Sequence, residues 1–109
     1  QLPSRAVEVM AKVGKWFRKN GESIYGTTSA GIGDGKNVYS TRKGDELYLH
    51  FVTPGKNTFT FKSSAAFKSA KGLWDGEKAK LTVDGDMVTV AIRRPKGYQF
   101  NYVVKLIAK

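Results

Sequence analysis

Hydrophobic positions change their period once along this chain. From Ser4 to Asn20, Ala6, Val9, Met10, Val13 and Phe17 recur at steps of three and four, which lays one apolar stripe along a helix. Arg5, Glu8, Lys12, Lys15 and Lys19 fall on the other faces. Ser4 after Pro3 supplies an N-cap, and Asn20-Gly21 a left-handed stop. Lys15, Arg18 and Lys19 sit where the helix dipole favours cations. From Ile24 onward the period becomes two.

The second half of the pattern predicts short antiparallel strands. Leu47, Leu49 and Phe51 alternate with Tyr48, His50 and Val52, and Phe59 and Phe61 stand between threonines. Leu81 and Val83, then Asp84-Gly85, then Val88, Val90 and Ile92 form a hairpin signature. A last strand spans Tyr102 to Ile107, with Val103 or Val104 inward depending on register. Turn chemistry at Asp34-Gly35, Lys43-Gly44, Pro54-Gly55 and Asp75-Gly76 punctuates the rest. The expected fold is mainly β, an antiparallel β-sandwich of about six to eight strands preceded by one N-terminal α-helix. The helix stripe must pack against something, and a small sandwich has two outer faces to offer.

Composition adds three bounds. A chain of 109 residues is one domain by size and buries a real core without staples. It has no cysteine, so disulfides and thiolate metal sites are excluded, and no apolar run approaches the roughly 18 residues of a membrane span. The formal charge of +10 favours polyanions at long range. Its densest cluster is Arg93-Arg94-Pro95-Lys96, with Tyr98 following, which joins charge to an aromatic as single-strand binders do. No nucleic-acid motif accompanies it, so a solvated basic surface is the plainer reading. The chain opens Gln1-Leu2-Pro3 without an initiator Met, so a processed or excised piece is expected.

Candidate chemistry is sparse. Asp34, Asp75, Asp84 and Asp86 sit in predicted turns, where Asp serves backbone geometry. Asp84-Gly85-Asp86 is too sparse for calcium. The run Ala30-Gly-Ile-Gly-Asp-Gly35 is followed by a strand rather than a helix, so it reads as a flexible linker and not a phosphate loop. His50 is the only histidine, lacks partners at metal or triad spacing, and alternation puts it on the exposed face. No cofactor is expected. Trp74, beside Asp75-Gly76, and Tyr98, in the Lys96-Gly97-Tyr98-Gln99 loop, are candidates for stacking against a sugar ring, against the plainer reading of aromatic core.

One segment is more specific. Val13-Gly-Lys-Trp-Phe-Arg-Lys-Asn-Gly-Glu-Ser-Ile-Tyr-Gly-Thr27 resembles a stretch close to (I/V)-G-x-W-L-x-x-N-G-E-A-I-Y-G-T in α-L-fucosidases of glycoside hydrolase family 29, where the catalytic barrel ends. Trp16, Asn20, Gly21, Glu22, Ile24, Tyr25, Gly26 and Thr27 match, and Phe17 and Ser23 depart mildly. Gly44 to Phe51 and Lys71 to Leu81 are more loosely similar to strand patterns of that family's C-terminal sandwich.

The resemblance implies that residues 1–27 are the last helix and boundary motif of an absent barrel, 28–35 a Gly-rich linker and 36–109 the C-terminal sandwich. It implies a retaining parent enzyme with an upstream Asp nucleophile, bacterial and outside the cytoplasm, and a non-catalytic role for this piece. Glycosidases need two carboxyl groups, one of them protonated. Glu22 lies inside the motif, but a chain leaving the last barrel helix emerges on the face opposite the active site, so Glu22 reads as structural. Trp16, Phe17, Glu22 and Tyr25 are then candidates for the interface with the barrel, the principal partner. Fucosylated glycans are a further candidate partner, nucleic acid and membrane are not, and the exposed helix surface implies self-association of the piece alone.

Overall fold

A computed structural model describes residues 4–98 and 100–109, with side chains from residue 11 onward. Helix α1 spans Ser4–Asn20, as its period predicts, and runs on into a 3₁₀ turn at Gly21–Ser23. The N-cap expected of Ser4 and the inner stripe residues Ala6, Val9 and Met10 lie outside the described side chains.

Among the described residues eight strands follow: β1 Thr28–Ser29, β2 Val38–Lys43, β3 Glu46–Phe51, β4 Thr58–Lys62, β5 Phe67–Gly72, β6 Lys80–Asp84, β7 Met87–Ala91 and β8 Tyr102–Ala108. They form a five-stranded sheet in the order β1-β2-β3-β8-β5 and a three-stranded sheet in the order β4-β7-β6, with every pairing antiparallel. Met87 pairs with Asp84, so the loop of the expected hairpin is Gly85-Asp86.

The core lies between the sheets. Leu47, Leu49 and Phe51 from β3 and Tyr102, Val104 and Leu106 from β8 meet Phe61, Val88 and Val90 of the smaller sheet. Alternation gives β3 and β8 a second face, and α1 covers it. Trp16 packs there with Tyr48 and Val103, flanked by Leu73, Trp74, Tyr98 and Phe100. Val103 and Val104 are therefore both buried, on opposite faces of one strand.

Three expectations change. His50 is not exposed: it retains 8% of its surface, because the helix end closes over the β3 face that alternation assigns to solvent. The helix does not stop at a left-handed Gly21; the chain turns once more and the positive φ falls at Gly26, at 72°. Residues 28–35 are no free linker either. Thr28 and Ser29 pair with Arg42 and Thr41, and Ala30 and Ile32 pack against the core. Ser40 holds this edge by accepting from the Ile32 amide at 2.9 Å and donating to its carbonyl.

Candidate functional site

The boundary motif is a chain of polar ties. The Trp16 indole Nε1–H donates to the Asn101 carbonyl at 3.0 Å, which pins α1 to the start of β8. Asn20 Nδ2 donates to the Trp16 carbonyl at 3.0 Å, and Ser23 Oγ to the Asn20 carbonyl at 2.6 Å. The Thr41 hydroxyl on β2 donates to the Ser23 carbonyl at 2.7 Å. Its one proton is then committed, so the 2.9 Å contact with His50 Nε2 has the imidazole as donor, which sets the Nε2–H tautomer. Desolvation holds the His50 pKa below its ordinary value. Its side-chain contact is the Thr41 hydroxyl, and it serves as a strut under the helix end.

Glu22 takes part in a second tie. Its Oε2 accepts from the Tyr48 hydroxyl at 2.9 Å and from Lys105 Nζ at 3.0 Å, while Glu46 Oε2 lies 2.8 Å from the same hydroxyl. Desolvation works to raise the Glu22 pKa, but the hydrogen bonds from Lys105 and Tyr48 and the charges of Lys105 and Lys43 together leave it lowered. That is the wrong direction for a general acid. The geometry gives Glu22 the part of an anchor for the 3₁₀ turn.

The other motif side chains point outward. Phe17 and Tyr25 stack obliquely, with centroids 6.4 Å apart, and Tyr25 keeps 65% of its surface exposed. With Val13 and Ile24 they form an exposed apolar strip along α1 and the boundary turn. Of the four interface candidates, then, Trp16 is buried on its own sheet, Glu22 is tied to that sheet, and Phe17 and Tyr25 are open.

Trp74 and Tyr98, 24 residues apart in sequence, are brought together, with ring centroids 5.0 Å apart and planes at 55°. They line a cleft of 330 Å³ beside α1 that also takes in Lys12, Lys15, Pro95, Lys96 and Phe100. Lys15 Nζ lies 5.0 Å from the Trp74 ring centroid. The sequence carried a signal for the two helical lysines, three residues apart on one face, but nothing that joined them to Trp74. Desolvation is the main cause that pushes the Tyr98 hydroxyl pKa up to about 12, and that hydroxyl donates to the Asn101 carbonyl.

Arg94 leaves the basic cluster. Its guanidinium donates to the carbonyls of Phe51 at 2.9 Å, Thr53 at 3.0 Å and Phe100 at 3.3 Å, and so knits the ends of β3 and β8 together. Asp34 is likewise inward in purpose. Its Oδ1 accepts from the amides of Lys36, Asn37 and Val38, which lowers its pKa to about 2 and fills with its own carboxylate the nest that a phosphate would need. A β-carbon at Gly33 beside it would run into the Val38 carbonyl oxygen. Among the described residues, no three His, Asp or Glu side chains gather as metal ligands.

A two-sheet antiparallel sandwich with a helix strapped across one outer face is the class of protein this geometry defines. No family profile and no curated protein matches the chain. Solved structures do. The chain is 27% identical to α-L-fucosidase isoenzyme 1 from Paenibacillus thiaminolyticus, covering 100% of itself at a TM-score of 0.75. A family 29 α-L-fucosidase from Bacteroides thetaiotaomicron matches at 21% identity, 100% coverage and a TM-score of 0.74. The Thermotoga maritima α-fucosidase matches at 22%, 98% and 0.60, a likeness of fold. The chain spans only 28%, 26% and 27% of these three proteins. The region matched is their C-terminal domain, so the resemblance carried by Trp16 to Thr27 holds: the chain corresponds in full to the C-terminal region of glycoside hydrolase family 29 α-L-fucosidases.

Proposed function

We propose that this chain is the non-catalytic C-terminal domain of an α-L-fucosidase-type glycoside hydrolase, and that it buttresses the catalytic barrel. The observation that carries the reading is the division of labour within Trp16 to Thr27. The Trp16 and Glu22 side chains and the Ser23 carbonyl fasten the segment to the sandwich, and the Asn20 and Ser23 side chains brace it internally, while Phe17, Ile24 and Tyr25 stay open. An apolar strip on a rigid mount suits a second body packed against it. The relatives supply one, since about three quarters of each of their chains lies outside the matched region. In this reading the parent is a retaining, extracytoplasmic bacterial enzyme that hydrolyses terminal α-L-fucosyl linkages. Without the barrel, the strip drives the isolated chain to self-associate.

The purified chain should release no chromophore from an aryl α-L-fucoside; turnover above background would refute the non-catalytic role. The genomic sequence preceding the Gln1 codon should encode a barrel pattern with paired carboxylates, and a frame without one would refute the parentage. Sedimentation should show association that weakens in Phe17→Asp/Tyr25→Asp, whereas a strict monomer at high concentration would count against the strip as an interface.

A further inference from the structure

Buttressing leaves unexplained a reactive step inside the boundary motif. Asn20-Gly21 is the only Asn-Gly pair in the chain. In such a pair the following backbone nitrogen reaches the asparagine side chain most readily, because glycine has no β-carbon to shield it. The other three asparagines precede Val38, Thr58 and Tyr102, whose side chains crowd that approach. The fold holds Asn20 out of reaction. It is fully buried, its Nδ2 donates to the Trp16 carbonyl at 3.0 Å, and its own carbonyl accepts from Ser23 Oγ at 2.6 Å. Its ψ is −1°, so the Gly21 nitrogen eclipses the Asn20 nitrogen and is turned away from the side chain. Ring closure needs that nitrogen to swing round until it eclipses Cβ. The rotation would turn the Asn20 carbonyl away from Ser23 and carry Gly21 out of the turn its carbonyl closes with the Ile24 and Tyr25 amides, at 3.0 and 2.9 Å.

We propose that Asn20-Gly21 is a deamidation site gated by the docking of α1, inert while the helix is strapped to the sandwich and reactive once it lifts. In the reaction the Gly21 nitrogen gives up its proton and bonds to Asn20 Cγ. The Cγ–Nδ2 bond breaks, and Nδ2 takes the proton and leaves as ammonia. Water then adds to one of the two carbonyls of the succinimide and opens it to an aspartate or to its β-linked isomer. The product cannot return to the same seat. Asn20 Oδ1 is buried without a hydrogen-bond partner, and Nδ2 faces an acceptor. A carboxylate there would set one oxygen against the Trp16 carbonyl and leave the other without a donor, the costly case for a buried charge. The β-linked isomer also inserts a methylene into the backbone where Ser23 requires a fixed carbonyl. Deamidation therefore makes the release of α1 irreversible.

Docking is the gate because the pair lies between its two ties. Trp16 on one side is held by the Asn101 carbonyl at 3.0 Å, and Glu22 on the other by Tyr48 and Lys105 at 2.9 and 3.0 Å. While both hold, Asn20 has neither the freedom to rotate nor access to solvent. The core between the sheets does not depend on them. Local opening costs less than global unfolding, so the lifting of α1, and not the loss of the sandwich, sets the rate.

The test ages the 109-residue chain in alkaline buffer, native or unfolded in guanidinium chloride, and follows Asn20 by peptide mapping for the mass gained when an amide becomes an acid. That gain separates it from the Asp-Gly steps at Asp34, Asp75 and Asp84, which isomerise without losing ammonia. Asn20 should react about tenfold slower or more in the native chain than in the unfolded one, which corresponds to an opening free energy of at least about 1.4 kcal/mol. Trp16→Phe, which removes the indole N–H from the first tie, should speed the native reaction about fivefold, the factor that one hydrogen bond corresponds to, and leave the unfolded rate unchanged. Gly21→Ala should slow the reaction in both states. Its β-carbon would meet the Tyr25 ring at 3.1 Å, and that ring is exposed and free to yield. Asn20→Asp should keep the amides of β3 and β8 protected while those of α1 exchange. Equal native and unfolded rates would overturn the gate, as would a native rate unchanged in Trp16→Phe. A Gly21→Ala chain that deamidates as fast as the wild type would overturn attack by the backbone nitrogen. Asn20→Asp with α1 as protected as before, or unfolded throughout, would overturn the irreversible local release.

Discussion

Replacing Trp16 by Ala tests the central structural claim, that one indole fastens the helix to the sandwich. Trp16 keeps 9% of its surface exposed, so nearly the whole ring leaves water on folding. A tryptophan buries roughly 150–250 Å², which at about 25 cal/mol per Å² corresponds to about 4–6 kcal/mol. Partial burial in the unfolded chain trims that by roughly 10–40%. The lost hydrogen bond to the Asn101 carbonyl restores about 1 kcal/mol. The net expectation is about 4 kcal/mol, inside the span of about 3–5 seen for such truncations. Set against a total stability of about 5–15 kcal/mol, the variant is severely weakened.

Urea denaturation followed by far-ultraviolet circular dichroism measures the loss, and amide exchange locates it. Exchange in α1 should rise far more than exchange in β3 and β8, whose other faces rest on the separate core between the sheets. Trp16→Phe separates packing from the hydrogen bond. The Asn101 carbonyl keeps the Tyr98 hydroxyl as a donor, so that variant should lose only about 1 kcal/mol from the missing N–H. A Trp16→Ala loss below about 1.5 kcal/mol, with α1 amides as protected as before, would refute the reasoning.

Two further outcomes follow from the polar ties. Arg94→Lys should cost about 2 kcal/mol in denaturant midpoint analysis, because a compact ammonium cannot reach three carbonyls presented to a planar fork; a loss within about 0.5 kcal/mol would show that the guanidinium is dispensable. The His50 pKa is lowered in the fold, so the unfolded chain binds that proton more readily and the stability it contributes is complete above the ordinary value of 6.5. It is lost progressively as pH falls below 6.5 toward the lowered native value. Thermal melts between pH 7.5 and 5 should therefore fall more steeply for the wild-type chain than for His50→Asn, and parallel slopes would place the imidazole in water.

Much of the fold was legible because periodicity reports which side of an element leaves water. The step from three-and-four spacing to alternation located α1 and the strands, and Asp84-Gly85 located the last hairpin within a residue. Alternation also specified the core face of β3 through Leu47, Leu49 and Phe51. It failed on the other face, since an antiparallel strand covered on both sides looks like one covered on a single side whenever its second face carries Tyr, His and Lys. His50 was misplaced for that reason, and Val103 left open.

The sequence by itself determined the helix, the strands, the likeness to fucosidase C-terminal regions and the absence of cysteine chemistry. These depend on residues near one another in the chain, whose spacing survives without the fold. Only the tertiary structure decided what the boundary motif does and where the cleft lies. Trp16 meets Asn101 across 85 positions, Glu22 meets Lys105 across 83, and Trp74 meets Tyr98 on the flank of a helix that neither adjoins in sequence. Such encounters are fixed by which sheet face the helix covers. That choice is made by packing Trp16 onto Tyr48 and Val103, a contact that no local pattern encodes.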